Sequence, residues 1–208
     1  MNSLDICNSA LSKLGVEPIS SFEEESKAAR LCKLQYDLIR QKLIRDHKWN
    51  FATARISIVP DETVPGTEDT PVFGEGFLFS IPVDSVRILR VGDGETTAKD
   101  SVLEIPHKIE GSKIIADTSP LDIMYLKDVQ DVDLMDVSFR EALAWLLAAE
   151  LSYPIIHSTS QALAFKDNAA DEIRSSRSLD AFEGTPEEWN DDSWLASRVT
   201  RAGFTRTF

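Results

Sequence analysis

The sequence predicts an α+β fold: an antiparallel helical bundle of about four helices, an inserted small antiparallel β domain and an extended C-terminal tail. Three observations carry this prediction. Apolar residues recur at helical spacing in two segments before residue 53 and in two after residue 134. Between them, short apolar runs alternate with Gly, Pro and Asp turns at intervals of about 8–12 residues, as strands do. After residue 183 the helical periodicity fades, although Trp, Phe and charged residues remain dense. The expected units are 1–52 with 134–182 for the bundle, 53–133 for the β domain and 183–208 for the tail.

The first helix is expected over 3–14, capped by Ser3, with Leu4, Cys7, Leu11 and Leu14 as its stripe and Ile6 and Ala10 beside it. Gly15 suits the left-handed position after a helix, and Pro18 follows as a stop. An acidic link over 17–24 leads to the longest amphipathic stretch, 27–55, opened by Ser21 or an early Glu. Its apolar side carries Ala28, Leu31, Cys32, Tyr36, Leu38, Ile39 and Leu43. Arg30, Lys33, Asp37 and Arg40 lie opposite, with Ile44 among them, and Trp49-Asn50-Phe51-Ala52 closes the stretch.

Strands are expected over 53–59, 73–80, 85–91, 101–105, 107–110, 112–116 and 121–126, with a tight hairpin at Gly111-Ser112 and a turn at Thr118-Ser119-Pro120. They suit a small sheet, a sandwich or a partial barrel. Helix returns at Asp136, a natural N-cap, and 137–152 is apolar on nearly every face, as in a helix buried among others or against another subunit. Pro154 is expected to end or kink it. Ser158 with Gln161 forms a capping box for a last helix over 159–180, whose stripe is Ala162, Phe165, Ala169 and Ile173.

Composition narrows the function. The chain has 208 residues and a net charge of −13, so general binding to a nucleic-acid backbone is disfavoured. No apolar run approaches the roughly 20 residues of a membrane span, and the first residues do not read as a signal peptide, so a cytoplasmic site of synthesis and use is expected. Cys7 and Cys32 each fall on an apolar stripe without a CxxC partner and read as buried free thiols. There is no GxSxG and no HExxH, and His47, His107 and His157 lie in different elements. Asp128, Asp131, Asp133 and Asp136 could hold Mg²⁺ or Ca²⁺, which leaves a metal-dependent hydrolase as an alternative reading. The competing explanation is capping and dipole stabilisation at a helix start. No cofactor motif is present: Gly74-Glu75-Gly76 and Gly92-Asp93-Gly94 carry acid that repels phosphate. In the tail, Trp189, Trp194, Phe204 and Phe208 with Arg198, Arg201 and Arg206 have the composition of partner anchors, the alternative being a strap on the same domain or a frayed end.

Four motifs in order carry a family resemblance. Ile6-Cys7-Asn8-x-Ala10-Leu11-x-x-Leu14-Gly15 comes first, then Ala29-x-x-Cys32-x-x-x-Tyr36-Asp37-x-x-Arg40-x-x-Leu43-Ile44-Arg45-x-His47-x-Trp49-Asn50-Phe51-Ala52. Phe79-x-Ile81-Pro82-x-Asp84-x-x-Arg87-Ile88-Leu89 and Phe139-x-x-Ala142-Leu143-x-x-x-Leu147-Ala148 follow. Together they resemble the tail tubular protein A family, the head-to-tail adaptors (gatekeeper rings) of short-tailed bacteriophages, over about residues 3–180. Phe79 stands where that family often has Tyr, and Val137 where Pro is common.

The resemblance implies a non-enzymatic virion protein in the tail neck, assembled in the host cytoplasm. It implies a homo-oligomeric ring of twelve copies between the portal protein and a nozzle of the tail tubular protein B type, with tail fibres as a further candidate contact. Genome DNA would pass through its channel unbound, and the acidic charge would favour that passage. On this reading Arg30, Lys33, Asp37 and Arg40 become candidate ring contacts, and the tail aromatics and arginines become candidate portal anchors. An assembly chaperone of the same fold, not built into the virion, is the remaining alternative.

Overall fold

The computed structural model describes residues 2–61, 76–92 and 105–183. These form a mixed α/β structure with four α-helices and two small antiparallel sheets. The helices are α1 (Ser3–Lys13), α2 (Lys27–Asp46), α3 (Val137–Ile156) and α4 (Thr159–Phe182). The strands are β1 (Thr53–Ile58), β2 (Phe77–Ser80), β3 (Ser85–Gly92), β4 (His107–Glu110), β5 (Lys113–Ala116) and β6 (Leu121–Lys127). The expected strand over 73–80 starts at Phe77 among the described residues, its first part lying outside them, as does most of the one expected over 101–105. Ile105 itself is not in a strand.

Local chemistry sets the helix ends. The cap of α1 is Asn2, not Ser3: Asn2 Oδ1 accepts from Asp5 N–H at 2.9 Å, and the Asp5 carboxylate accepts from Asn2 N–H at 2.8 Å. Asn2 wins because Asp5 stands three residues on and closes a reciprocal box. At the other end Val16 N–H reaches Leu11 O and Gly15 N–H reaches Ser12 O, both at 3.0 Å, a Schellman close that places Gly15 at φ 71°. Helix α2 begins later than the acidic link suggests. Its cap is Ser26, whose hydroxyl accepts from Ala29 N–H at 3.1 Å, while Glu24 is engaged with Ser20. Pro154 does not end α3; it lies inside the last turn, and the helix runs on to Ile156 and closes at His157 in a left-handed conformation, φ 58°.

Helix α3 packs against α1, α2 and α4, which explains an apolar surface on every side. The buried face of α2 differs from the expected stripe. Ala29, Cys32, Tyr36, Ile39, Arg40, Leu43 and Ile44 are buried, whereas Leu38 is exposed. The stripe is rotated toward Arg40 and Ile44, which stand one turn apart on the same side.

In the first sheet β6 is central, in the order β1-β6-β3, and in the second β5 is central, in the order β2-β5-β4. The Gly111-Ser112 hairpin between β4 and β5 is present, with Gly111 at φ 60°. Strand alternation gives β6 two faces. Leu121, Ile123 and Tyr125 join Phe79, Val91, Ile114 and Ala116 in a core shared by the two sheets. Leu126, on the opposite face, enters the helical core together with Val129 and Val132.

Candidate interaction surfaces and the joint that sets them

Trp49, Phe51 and Phe139 knot the point where the chain leaves α2 for β1. Trp49 is fully buried, and its Nε1–H donates to Leu43 O at 2.8 Å. Its ring meets Phe139 edge-on at 5.0 Å, and Phe51 meets Phe139 at 4.8 Å. The last turn of α4 is tied to the same place. Asp180, 5% exposed, accepts from Asn50 N–H at 3.0 Å and faces His47 Nε2 at 3.2 Å, while Asn50 Nδ2 donates to Asp180 O at 2.6 Å. The latch at Asp180 has no counterpart in the sequence reading. The signal available was spacing, since Ala162, Ala169, Ser176 and Asp180 continue one buried stripe in steps of seven, seven and four.

A second tie joins α2 to the end of β6. Arg40 is 1% exposed. Its Nη1 donates to Asp128 Oδ1 and, at 2.7 Å, to Val129 O, and its Nη2 donates to Asp37 Oδ1 at 3.3 Å. Burial alone would raise the Asp128 carboxyl, but the hydrogen bonds from Arg40 and Gln41 and the guanidinium charge outweigh it and hold the group below the usual carboxylate range. Asp128 N–H in turn donates to Asp84 O at 2.7 Å. Arg87 Nη1 donates to Arg45 O at 3.2 Å, and Arg45 Nη1 returns a bond to Val86 O.

Of the expected ring contacts, Arg30, Lys33 and Asp37 lie exposed on α2. Arg40 does not belong with them. The expected solvent-side position is corrected: both Nη groups of the buried guanidinium are taken up by Asp128, Val129 O and Asp37, while its Nε has no partner among the described residues. Lys33 pairs with Glu23 at 2.7 Å on the surface. Between these charges Leu34 and Leu38 are bare, 62% and 60% exposed. Around the expected portal anchors nothing is described: Trp189, Trp194, Arg198, Arg201, Phe204, Arg206 and Phe208 all lie outside the described residues.

The acidic cluster is spread over separate tasks. Asp128 serves Arg40. Asp131 caps a short 3₁₀ turn by accepting from Asp133 N–H at 3.0 Å, and Asp136 caps α3 by accepting from Ser138 N–H at 2.7 Å. Among the described residues, no three His, Cys, Asp or Glu side chains are grouped to hold a metal ion. His47 faces Asp180, and His107 Nδ1 lies 3.0 Å from Ile105 O. Cys7 and Cys32 are buried free thiols in mutual contact; the hydrogen bond with Cys32 and burial both push the Cys7 thiol up. Burial also pushes the Tyr36 hydroxyl up to about 12. An open groove of about 280 Å³ on the first sheet is lined by Arg55, Ser57, Arg90, Asp122 and Met124. Among the described residues, no helix is long and apolar enough to cross a membrane.

Comparison with protein-family models gives no match, and comparison with curated proteins gives none either.

Proposed function

We propose that this chain is a structural head-to-tail adaptor: an antiparallel helical bundle with an inserted β domain and an extended tail, copies of which form a ring between a portal and a tail nozzle. The observation that supports it most is where the four sequence motifs fall. Polar and aromatic residues of the last three tie helices to strands in two places: Trp49, Phe51 and Phe139 at the crossover, and Arg40 on the residues that follow β6, with Asp84 and Arg87 beside them. A motif set that secures a β excursion to a helical layer suits a building block whose two ends face different partners.

In this reading the exposed α2 residues Arg30, Lys33 and Asp37 contact the next copy, and a heterologous contact whose rotation closes gives a ring. The tail residues Trp189, Trp194, Arg198, Arg201, Phe204, Arg206 and Phe208 engage the portal, and the β domain faces the nozzle. DNA passes through the channel past acidic walls.

The test is light scattering with negative-stain imaging of the protein alone and with the portal protein of the same genome. Rings on the portal are expected. A chain that stays monomeric and forms no ring with the portal refutes the reading. The ring face is tested by Arg30→Glu with Lys33→Glu, both exposed. The pair is expected to weaken ring assembly with an unchanged circular dichroism spectrum, and normal rings return that face to solvent.

A further inference from the structure

The exposed side of α2 is unlike the rest of this chain. The protein carries a net charge of −13, yet this one helix shows five exposed bases, Lys27, Arg30, Lys33, Lys42 and Arg45, against two exposed acids, Asp37 and Asp46. In the middle of that charge stand Leu34 and Leu38, one turn apart and 62% and 60% exposed. The described residues place no apolar partner over this pair. A basic helix face with a leucine pair at its centre suits a short acidic segment that carries large apolar side chains.

The chain holds such a segment. Residues 185–194 (TPEEWNDDSW) contain Glu187, Glu188, Asp191 and Asp192, Trp189 and Trp194, and no base. The structure places the last turn of α4, just before this segment, at the end of α2. Asp180 is tied to His47 and to Asn50, immediately beyond the C-terminal end of α2 at Asp46. From Asp46 back to Leu38 the helix runs about 12 Å, and to Leu34 about 18 Å. Helix α4 runs to Phe182 and the described chain to Glu183, and the six residues from Glu183 to Trp189 can span up to roughly 20 Å. The chain therefore leaves α4 near the C-terminal end of α2, and the residues that follow are enough to reach Leu38 and Leu34.

We propose that residues 185–194 dock on the exposed face of α2 in the same chain, with the Trp side chains on Leu34 and Leu38 and the four acids against Arg30, Lys42 and their neighbours. This stands on the charge and geometry of the chain and does not need the ring reading. If that reading holds, tail and neighbouring copy compete for one face, and ring formation requires the tail to leave it.

Zero-length carbodiimide cross-linking of the full chain, read by mass spectrometry on an equal mixture of ¹⁵N-labelled and unlabelled protein, tests it. Links from Lys42 or Lys33 to Glu187, Glu188, Asp191 or Asp192 are expected, within single isotopic species. They should fall to background in the Leu34→Glu, Leu38→Glu variant, which keeps both lysines and changes only exposed positions, with folding checked by circular dichroism. Absence of such links, links spread equally to Lys108 and Lys166, persistence in that variant, or links of mixed isotope would each overturn the proposal. Ring formation on a portal is scored separately, so failure here leaves the adaptor reading standing or falling on its own.

Discussion

Replacing Arg40 by Ala should cost this protein a large part of its stability. The guanidinium is 1% exposed and serves Asp128, Val129 O and Asp37 at once. Its removal leaves the Val129 carbonyl without that donor, which costs about 1–3 kcal/mol for a buried acceptor. Breaking a buried ion pair from one side costs about 3–5 kcal/mol in all. The lower end applies here, because the Asp128 side chain is 14% exposed and keeps hydrogen bonds from Gln41 at 3.1 Å and Gln130 at 3.4 Å. The expected loss is about 3 kcal/mol. With a urea m-value of about 2 kcal/mol/M, the unfolding midpoint followed by circular dichroism should drop by about 1.5 M at unchanged slope. Arg40→Glu should do worse, since it sets a carboxylate against Asp128 and a carbonyl, and a loss near the usual total of about 5–15 kcal/mol leaves little folded protein. A paired Arg40→Met, Asp128→Leu variant should recover the part of the loss that comes from the unpaired charge, while the Val129 carbonyl stays without its donor. A midpoint for Arg40→Ala within about 0.3 M of the wild type would refute the reasoning, since it would mean that the buried network contributes nothing net.

Three further outcomes follow from the same geometry. Asp61, Asp128 and Asp136 are all held below the usual carboxylate range, so the unfolded chain takes up protons before the folded one as pH falls. Their contribution is complete above the unfolded value of about 3.9 and is lost as pH falls through the lower folded values. Urea midpoints should therefore decline below about pH 4, with a shallower acid limb in Arg40→Ala. Asp180→Ala should release the last turn of α4 from Asn50 and His47, seen as faster amide exchange over residues 176–182 while α3 stays protected; unchanged exchange there would deny the latch. Gly15→Ala should cost about 1 kcal/mol through left-handed strain alone, since its φ is 71° and a Cβ would meet nothing within 4 Å; a thermal midpoint equal to wild type would contradict this.

The sequence was legible where one local rule decided the outcome. The α3 cap at Asp136, the hairpin at Gly111 and the Ser158 cap each depend on a few adjacent residues. It misled where two local solutions competed or where a distant group decided. Asn2 displaced Ser3 because Asp5 could answer it, and Ser26 opened α2 while Glu24 was engaged with Ser20 in the link. Arg40 read as surface because arginine usually is, yet both helical neighbours at four residues, Tyr36 and Ile44, are buried. That pattern was visible. Its resolution needed Asp128, which stands 88 residues away in sequence. Within the acidic cluster the distance hid only the role of Asp128; Asp131 and Asp136 are local caps, as the capping reading expected.

The strand that meets Arg40 also explains why the joint is specific. Side chains of β6 alternate, so Leu121, Ile123 and Tyr125 belong to the core between the sheets while Leu126 belongs to the helical core. A slip of one residue in β6 would exchange these faces, exposing one core and overfilling the other. Its register is thus set from both sides, by pairing with β1 and β3 and by the helices. Arg40 holds Asp128 and Val129 immediately after the strand, and Asp128 N–H holds Asp84 before β3. The β excursion and the helical layer cannot slide past one another without breaking these bonds. The buried arginine on α2 therefore fixes the alignment of the two parts together with the Arg45–Val86 and Arg87–Arg45 bonds, which is why its loss should be felt beyond one helix.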